Sequence, residues 1–174
     1  LTTRHRIAPT MAGSRLKVPA GSSYFLSGVM GGSGSGTSSA LGIAMEPQAY
    51  RAQIAAAIRA ADATAVIIDP LAMGATRRAE LAAESTADPW ADDAHVKRMF
   101  ADVVAAAADC DVVVSFLPVA SMGSAVELHE AWKASRTIIC VVSPTMSTNW
   151  VVRSYADATV ASIEALGALL LAAR

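Results

Sequence analysis

Apolar residues along this chain fall in short blocks, separated by longer stretches in which apolar and polar positions recur at helical spacing. Ser23 to Gly28 reads as a buried strand, with Tyr24, Phe25 and Leu26 in succession. Val29 to Gly42 is rich in Gly and Ser, and a helix is expected from near Glu46 to about Ala61, Pro47 suiting a first helical turn. Thr64 to Ile68 is β-branched and apolar, and Asp69-Pro70 ends it as a second strand. After a polar connection over 70–91, of a length often found in functional lids, Asp92 or Asp93 caps a helix to Ala108. A third strand is expected over Asp111 to Phe116, a helix over Gly123 to Ala134 and a fourth strand over Thr137 to Val142. Beyond a Ser/Pro/Asn loop at Ser143 to Asn149 and a short apolar turn at Trp150 to Val152, Ala158 to Ala161 makes a fifth strand. Ser162 then caps a last helix to about Ala172.

Strands that alternate with helices of this length pair in parallel through right-handed crossovers. The expected fold is therefore a three-layer, doubly wound, flavodoxin-like α/β domain with about five parallel strands. It occupies residues 22–174 behind a solvated tail at 1–21. Ligands in such sheets bind at the carboxyl ends of the strands, which directs attention to the loops after Leu26, Ile68, Phe116 and Val142.

Composition narrows the function classes. With 53% hydrophobic and 17% charged residues the chain has the apolar content of a folded core. Its 14 basic and 15 acidic residues nearly cancel, so no net charge draws it to a nucleic-acid polymer or an anionic membrane. No run approaches a membrane span. Arg4, Arg6, Arg15 and Lys17 precede the first acidic residue, Glu46, as in an organelle presequence; a strand already starting near Ser22, with no long amphipathic helix before it, argues for a plain tail. Cys110 and Cys140 are too few for a disulfide framework and lack metal-ligand spacing, so they read as small core residues in a reducing, cytoplasmic setting. No metal or cofactor is expected. Gly32, Gly34 and Gly36 fail the dinucleotide spacing, and the absence of a Lys between Lys17 and Lys97 excludes a P-loop. His5 and His95 have no partners in the pattern, and His129 reads as solvated or partner-facing.

The most informative segment is Leu117-Pro118-Val119-Ala120-Ser121-Met122-Gly123-Ser124-Ala125-Val126-Glu127, which leaves a buried strand and opens a helix. Glu127 is expected in the first helical turn, where unpaired amides and the helix dipole favour an ionised carboxylate suited to a nucleophile. First-turn glutamates also serve simply to support the helix start.

Four features in this order resemble the nucleoside 2-deoxyribosyltransferase family over roughly residues 22–172: Tyr24-Phe25-Leu26-Ser27-Gly28, Asp111 to Ser115, Gly123-Ser124-Ala125-Val126-Glu127, and Asn149. The resemblance implies that Glu127 attacks the anomeric carbon and carries the sugar as an ester, that Tyr24 orients it, and that Asp102 assists the leaving base. Ser27, Gly28, Asp69, Ser121, Gly123, Ser124 and Asn149 would line the substrate. Ser121 stands where related nucleotide N-glycosidases carry a phosphate-facing serine. Asn149 stands where the transferases carry a sugar-binding asparagine lent by a neighbouring subunit, which implies a homo-oligomer with shared sites. Trp90, Asp92, Asp93, Arg77 and Arg78 lie in the lid region without an assigned role. The expected ligands are a nucleoside or nucleotide and a free base. A 5′-monophosphate N-glycosidase and a non-catalytic nucleotide-binding module stand as alternatives.

Overall fold

The computed structural model describes residues 16–29, 48–73 and 93–174. Five strands, β1 (Ser23–Gly28), β2 (Val66–Ile68), β3 (Val112–Leu117), β4 (Thr137–Val142) and β5 (Ala158–Val160), form one sheet in the order β2-β1-β3-β4-β5. Every pairing is parallel. The helices are α1 (Ala49–Ala61), α2 (Asp93–Asp109), α3 (Met122–Lys133), α4 (Trp150–Tyr155) and α5 (Ile163–Ala172). This is the flavodoxin-like arrangement, with β1 and β3 meeting where the strand order reverses.

Central strands sandwiched between two helical layers are apolar on both faces, and the period of two sorts their side chains into two cores. Tyr24 and Leu26 of β1 pack with Ile54 and Ile58 of α1 and Leu166 and Leu170 of α5. Phe25 packs on the other face with Val103 and Ala107 of α2, Leu128 and Ala131 of α3 and Val152 of α4. Full burial of each Leu or Ile contributes about 1.5–3 kcal/mol.

The boundaries differ from expectation in instructive places. Residues 16–22 are not a free tail: Val18 is 3% exposed, and its amide donates to the Ala173 carbonyl at 3.0 Å, tying the segment to the end of α5. The apolar turn at Trp150 to Val152 is the start of α4, because the Asn149 side chain accepts from the Val151 and Val152 amides and caps it. β2 is shorter than Thr64 to Ile68, since Asp62 takes the Thr64 amide and hydroxyl into a turn. Ser162 caps α5 as expected, accepting from the Ala165 amide. The Gly/Ser loop beyond Val29, Glu46 and Pro47, and Arg77, Arg78, Trp90 and Asp92 lie outside the described residues.

Candidate active site

The carboxyl-terminal edge of the sheet brings Glu127 to the point where β1 and β3 meet. Ser27 and Ser115 are register partners on these two strands and both are fully buried. The Ser115 hydroxyl donates to Ser27 Oγ at 3.1 Å, and the Ser27 hydroxyl donates to Glu127 Oε2 at 2.5 Å. Two buried serines on adjacent strands thus form a polar path to a carboxyl that is only 4% exposed.

Glu127 is not in the first turn of α3. Ser121 is the N-cap, accepting from the Ser124 amide at 3.3 Å, which leaves Glu127 in the second turn. Helical spacing of three puts Ser124 and Glu127 on one inward face, and both are buried. The free amides of the helix start therefore do not govern its charge. Burial pushes the Glu127 carboxyl above its ordinary value, opposed more weakly by the Ser27 hydrogen bond and the positive charge of Arg51.

Tyr24 does not orient this carboxyl. The two-residue period sends its side chain to the opposite face from Ser27, where its hydroxyl accepts from Arg174 Nη2 at 3.4 Å. Ser27 makes the contact to Glu127 that the resemblance gave to Tyr24. Asp102 is exposed on α2, whose inward face is marked by Val103 and Ala107, so it points away from the core rather than toward a base beside Glu127. Gly28 serves packing: a Cβ there would lie 2.6 Å from Tyr50 Oη and 3.1 Å from the Phe116 carbonyl. The space admits Tyr50, which stacks on Phe116 with ring centroids 4.4 Å apart.

Asp69, after β2, binds protein groups. Its Oδ1 accepts from Arg51 Nη1 and from the Leu71 amide, both at 2.9 Å, holding the turn at 70–73. Ser121 and Asn149 come together within one chain, lining a cavity of about 60 Å³ with Leu117, Ala120, Ala125 and Met146. Gly123 lies over Phe100 of α2, at 4.0 Å from where a Cβ would be. Ser124 Oγ is buried and has no hydrogen-bond partner. His129 is half-buried; its Nδ1 meets the Tyr155 hydroxyl at 3.1 Å, in a cluster with Trp132. The thiols of Cys110 and Cys140 are buried, pushed up to about 11 and about 12, and so are neutral core groups. Among the described residues no cluster of His, Cys, Asp and Glu could hold a metal ion.

Sequence reasoning missed Tyr50, Arg51 and Ser115. Arg51 carried a signal in retrospect, because it lies three and seven residues before Ile54 and Ile58 and so falls on the buried stripe of α1. Both Tyr50 and Arg51 are near enough to Glu127 to interact with it electrostatically.

No protein-family model matches the chain, and no curated protein matches it. Among solved structures, a conserved protein from Enterococcus faecalis is similar to 86% of this chain and 96% of its own, with a TM-score of 0.52 and 15% identity. Similarity at that identity is one of fold. Among the described residues no helix is long and apolar enough to cross a membrane.

Proposed function

We propose that this protein cleaves the N-glycosidic bond of a nucleoside through a glycosyl ester on Glu127 and passes the sugar to another base or to water. The observation that carries the reading is a buried carboxyl, held through one oxygen by Ser27, at the reversal point of a parallel sheet, where ligands of this fold class bind. A carboxylate sheltered from water interacts strongly with the positive charge that develops on the sugar as the base departs. Ser27 fixes the attacking group and stabilises its ionised form, and Ser115 fixes Ser27.

A second reading, a nucleoside 5′-monophosphate N-glycosidase, is favoured by Ser121 and by the buried, unpartnered Ser124 hydroxyl at the start of α3, which would suit phosphate oxygens. Action in the cytoplasm and a homo-oligomer belong to the same reading. Met122 and Trp150, 90% and 86% exposed beside Ser121 and Asn149, support a second copy covering this region. A mass that stays monomeric at all concentrations would remove the oligomer.

Chromatography of mixtures containing ribo- and deoxyribonucleosides or their 5′-monophosphates, with and without a second base, tests the function beside Glu127→Ala. A new nucleoside formed with the added base marks a transferase, and free base released without an acceptor marks a hydrolase. Loss of turnover on removing the 5′-phosphate selects the second reading. Binding without turnover, unchanged in Glu127→Gln, would replace both with a binding module.

A further inference from the structure

The guanidinium of Arg51 has more donors than its surroundings use. Arg51 is 3% exposed, and its Nε donates to Gln48 Oε1 at 2.7 Å. The two hydrogens of Nη1 are directed to the Leu26 carbonyl and to Asp69 Oδ1, each at 2.9 Å. Nη2 is buried without a hydrogen-bond partner. A guanidinium has five N–H groups, two of them on Nη2, and buried donors of a charged group are nearly always paired. Three anchored bonds, and the Tyr50 ring with its centroid 5.1 Å from Cζ, fix the plane of the group and leave one edge unmatched.

That edge belongs to the carboxyl-terminal rim of the sheet, above the end of β1 and within electrostatic range of Glu127. Arg51 also lines a groove of about 360 Å³, whose apolar wall is Leu26, Ala55, Ile67 and Leu71 and whose polar wall is Gln48, Arg59 and Asp69. Charge selects among acceptors. Asp69 pairs with Arg51, Arg59 lines the same groove and Glu127 lies within electrostatic range, so the charges there already offset one another; a neutral carbonyl leaves that balance in place, whereas a phosphate would add negative charge to it.

We propose that Arg51 is the leaving-group residue, donating from Nη2 to a carbonyl oxygen of a neutral, oxo-substituted base. The inference rests on the glycosidic reading. A lone pair of the Glu127 carboxylate forms the bond to the anomeric carbon as the bond from that carbon to the ring nitrogen breaks. The departing electron pair delocalises through the ring to the carbonyl oxygen, where the Arg51 N–H groups meet the charge, and the released base anion takes a proton from water. Leaving-group assistance thus comes from α1, not from Asp102.

The test compares the full-length protein with Arg51→Lys and Arg51→Gln on a nucleoside of a carbonyl-bearing base and on 4-nitrophenyl ribofuranoside and its 2-deoxy analogue, whose leaving group departs without such help. Loss of a donor to developing negative charge should lower kcat/KM on the nucleoside by roughly 100-fold, at least about ten times the loss on the nitrophenyl glycosides. Equal losses on the two substrate types, or none on the nucleoside, would overturn the assignment. Competition in the wild-type protein is independent of variant folding: uracil or hypoxanthine should bind more tightly than carbonyl-free pyrimidine or purine, and equal binding also overturns it. Wild-type cleavage of the nitrophenyl glycosides that vanishes in Glu127→Ala upholds the glycosidic reading even where Arg51 fails. A wild-type protein inert toward every substrate overturns both.

Discussion

Asp62 and Glu127 are both buried carboxyl groups, one following α1 at the amino-terminal edge of the sheet and the other on α3 at the carboxyl-terminal edge. The fold treats them in opposite ways. Asp62 accepts from the Gly21 amide at 2.8 Å, the Thr64 amide at 3.0 Å, the Thr64 hydroxyl at 2.6 Å and Arg174 at 2.7 Å. Those donors, Thr64 foremost, hold its carboxyl far below the usual range. Glu127 receives one hydroxyl and is pushed the other way by burial. A carboxylate with several matched donors pins chain segments together, here residue 21, the turn after α1 and the carboxyl terminus. One left under-matched, within electrostatic range of a guanidinium with unused donors, retains capacity for a ligand.

The largest expected break of this contrast is in activity. Glu127→Gln should lower turnover of the nucleoside by roughly 10⁴-fold or more while the protein melts no lower than wild type, because the amide removes a carboxyl that burial disfavours. A melting temperature well below wild type would make Glu127 a structural carboxylate like Asp62. Ser27→Ala removes the bond that stabilises the ionised form, so the acidic limb of the pH-rate profile should move to higher pH, with kcat reduced roughly tenfold at neutral pH. An unmoved limb would show that Ser27 does not set the charge of Glu127.

The two carboxyl groups also have opposite signs in the dependence of stability on pH. Asp62 has its folded-state value depressed, so its stabilisation is present above its ordinary 3.8 and is lost as the pH falls below it. Glu127 has its value raised, so its contribution is full below its ordinary 4.5 and declines as the pH rises through the shifted value. Asp62→Asn should lower the melting temperature at neutral pH by several degrees and flatten the acid side of the profile, whereas Glu127→Gln should flatten the decline above 4.5. Profiles of the two variants that superimpose would erase the distinction. The smallest effect belongs to Asp102→Asn. As a substitution on an exposed helix face it should change kcat/KM by less than about twofold and leave the melting curve in place.

How much of this could be read beforehand depended on whether a property repeats locally. The order of strands and helices was legible because the burial of each element is written in its own period, and β4 and the cap at Ser162 lie where the pattern placed them. Glu127 was legible as a chemical candidate because a carboxylate after a strand and near a helix start is a local feature. Its partners were not. Ser27 and Glu127 are 100 residues apart, and Arg51 and Asp69 are joined by a salt bridge across 18. Tyr24, three residues before Ser27, is carried to the other face by nothing more than strand alternation.

The sequence by itself determined a parallel, doubly wound sheet with a carboxylate near its carboxyl-terminal edge, because hydrophobic periodicity and strand-helix alternation leave few other ways to bury this much apolar surface. Tertiary structure alone decided what that carboxylate touches. The register of β1 against β3 sets Ser27 beside Ser115, the helix phase of α3 turns Glu127 onto them, and the phase of α1 brings Arg51 over the strand ends. Hydrogen bonds and desolvation fix a charge only at contact distance, and contacts between residues far apart in the chain exist only once the layers have packed.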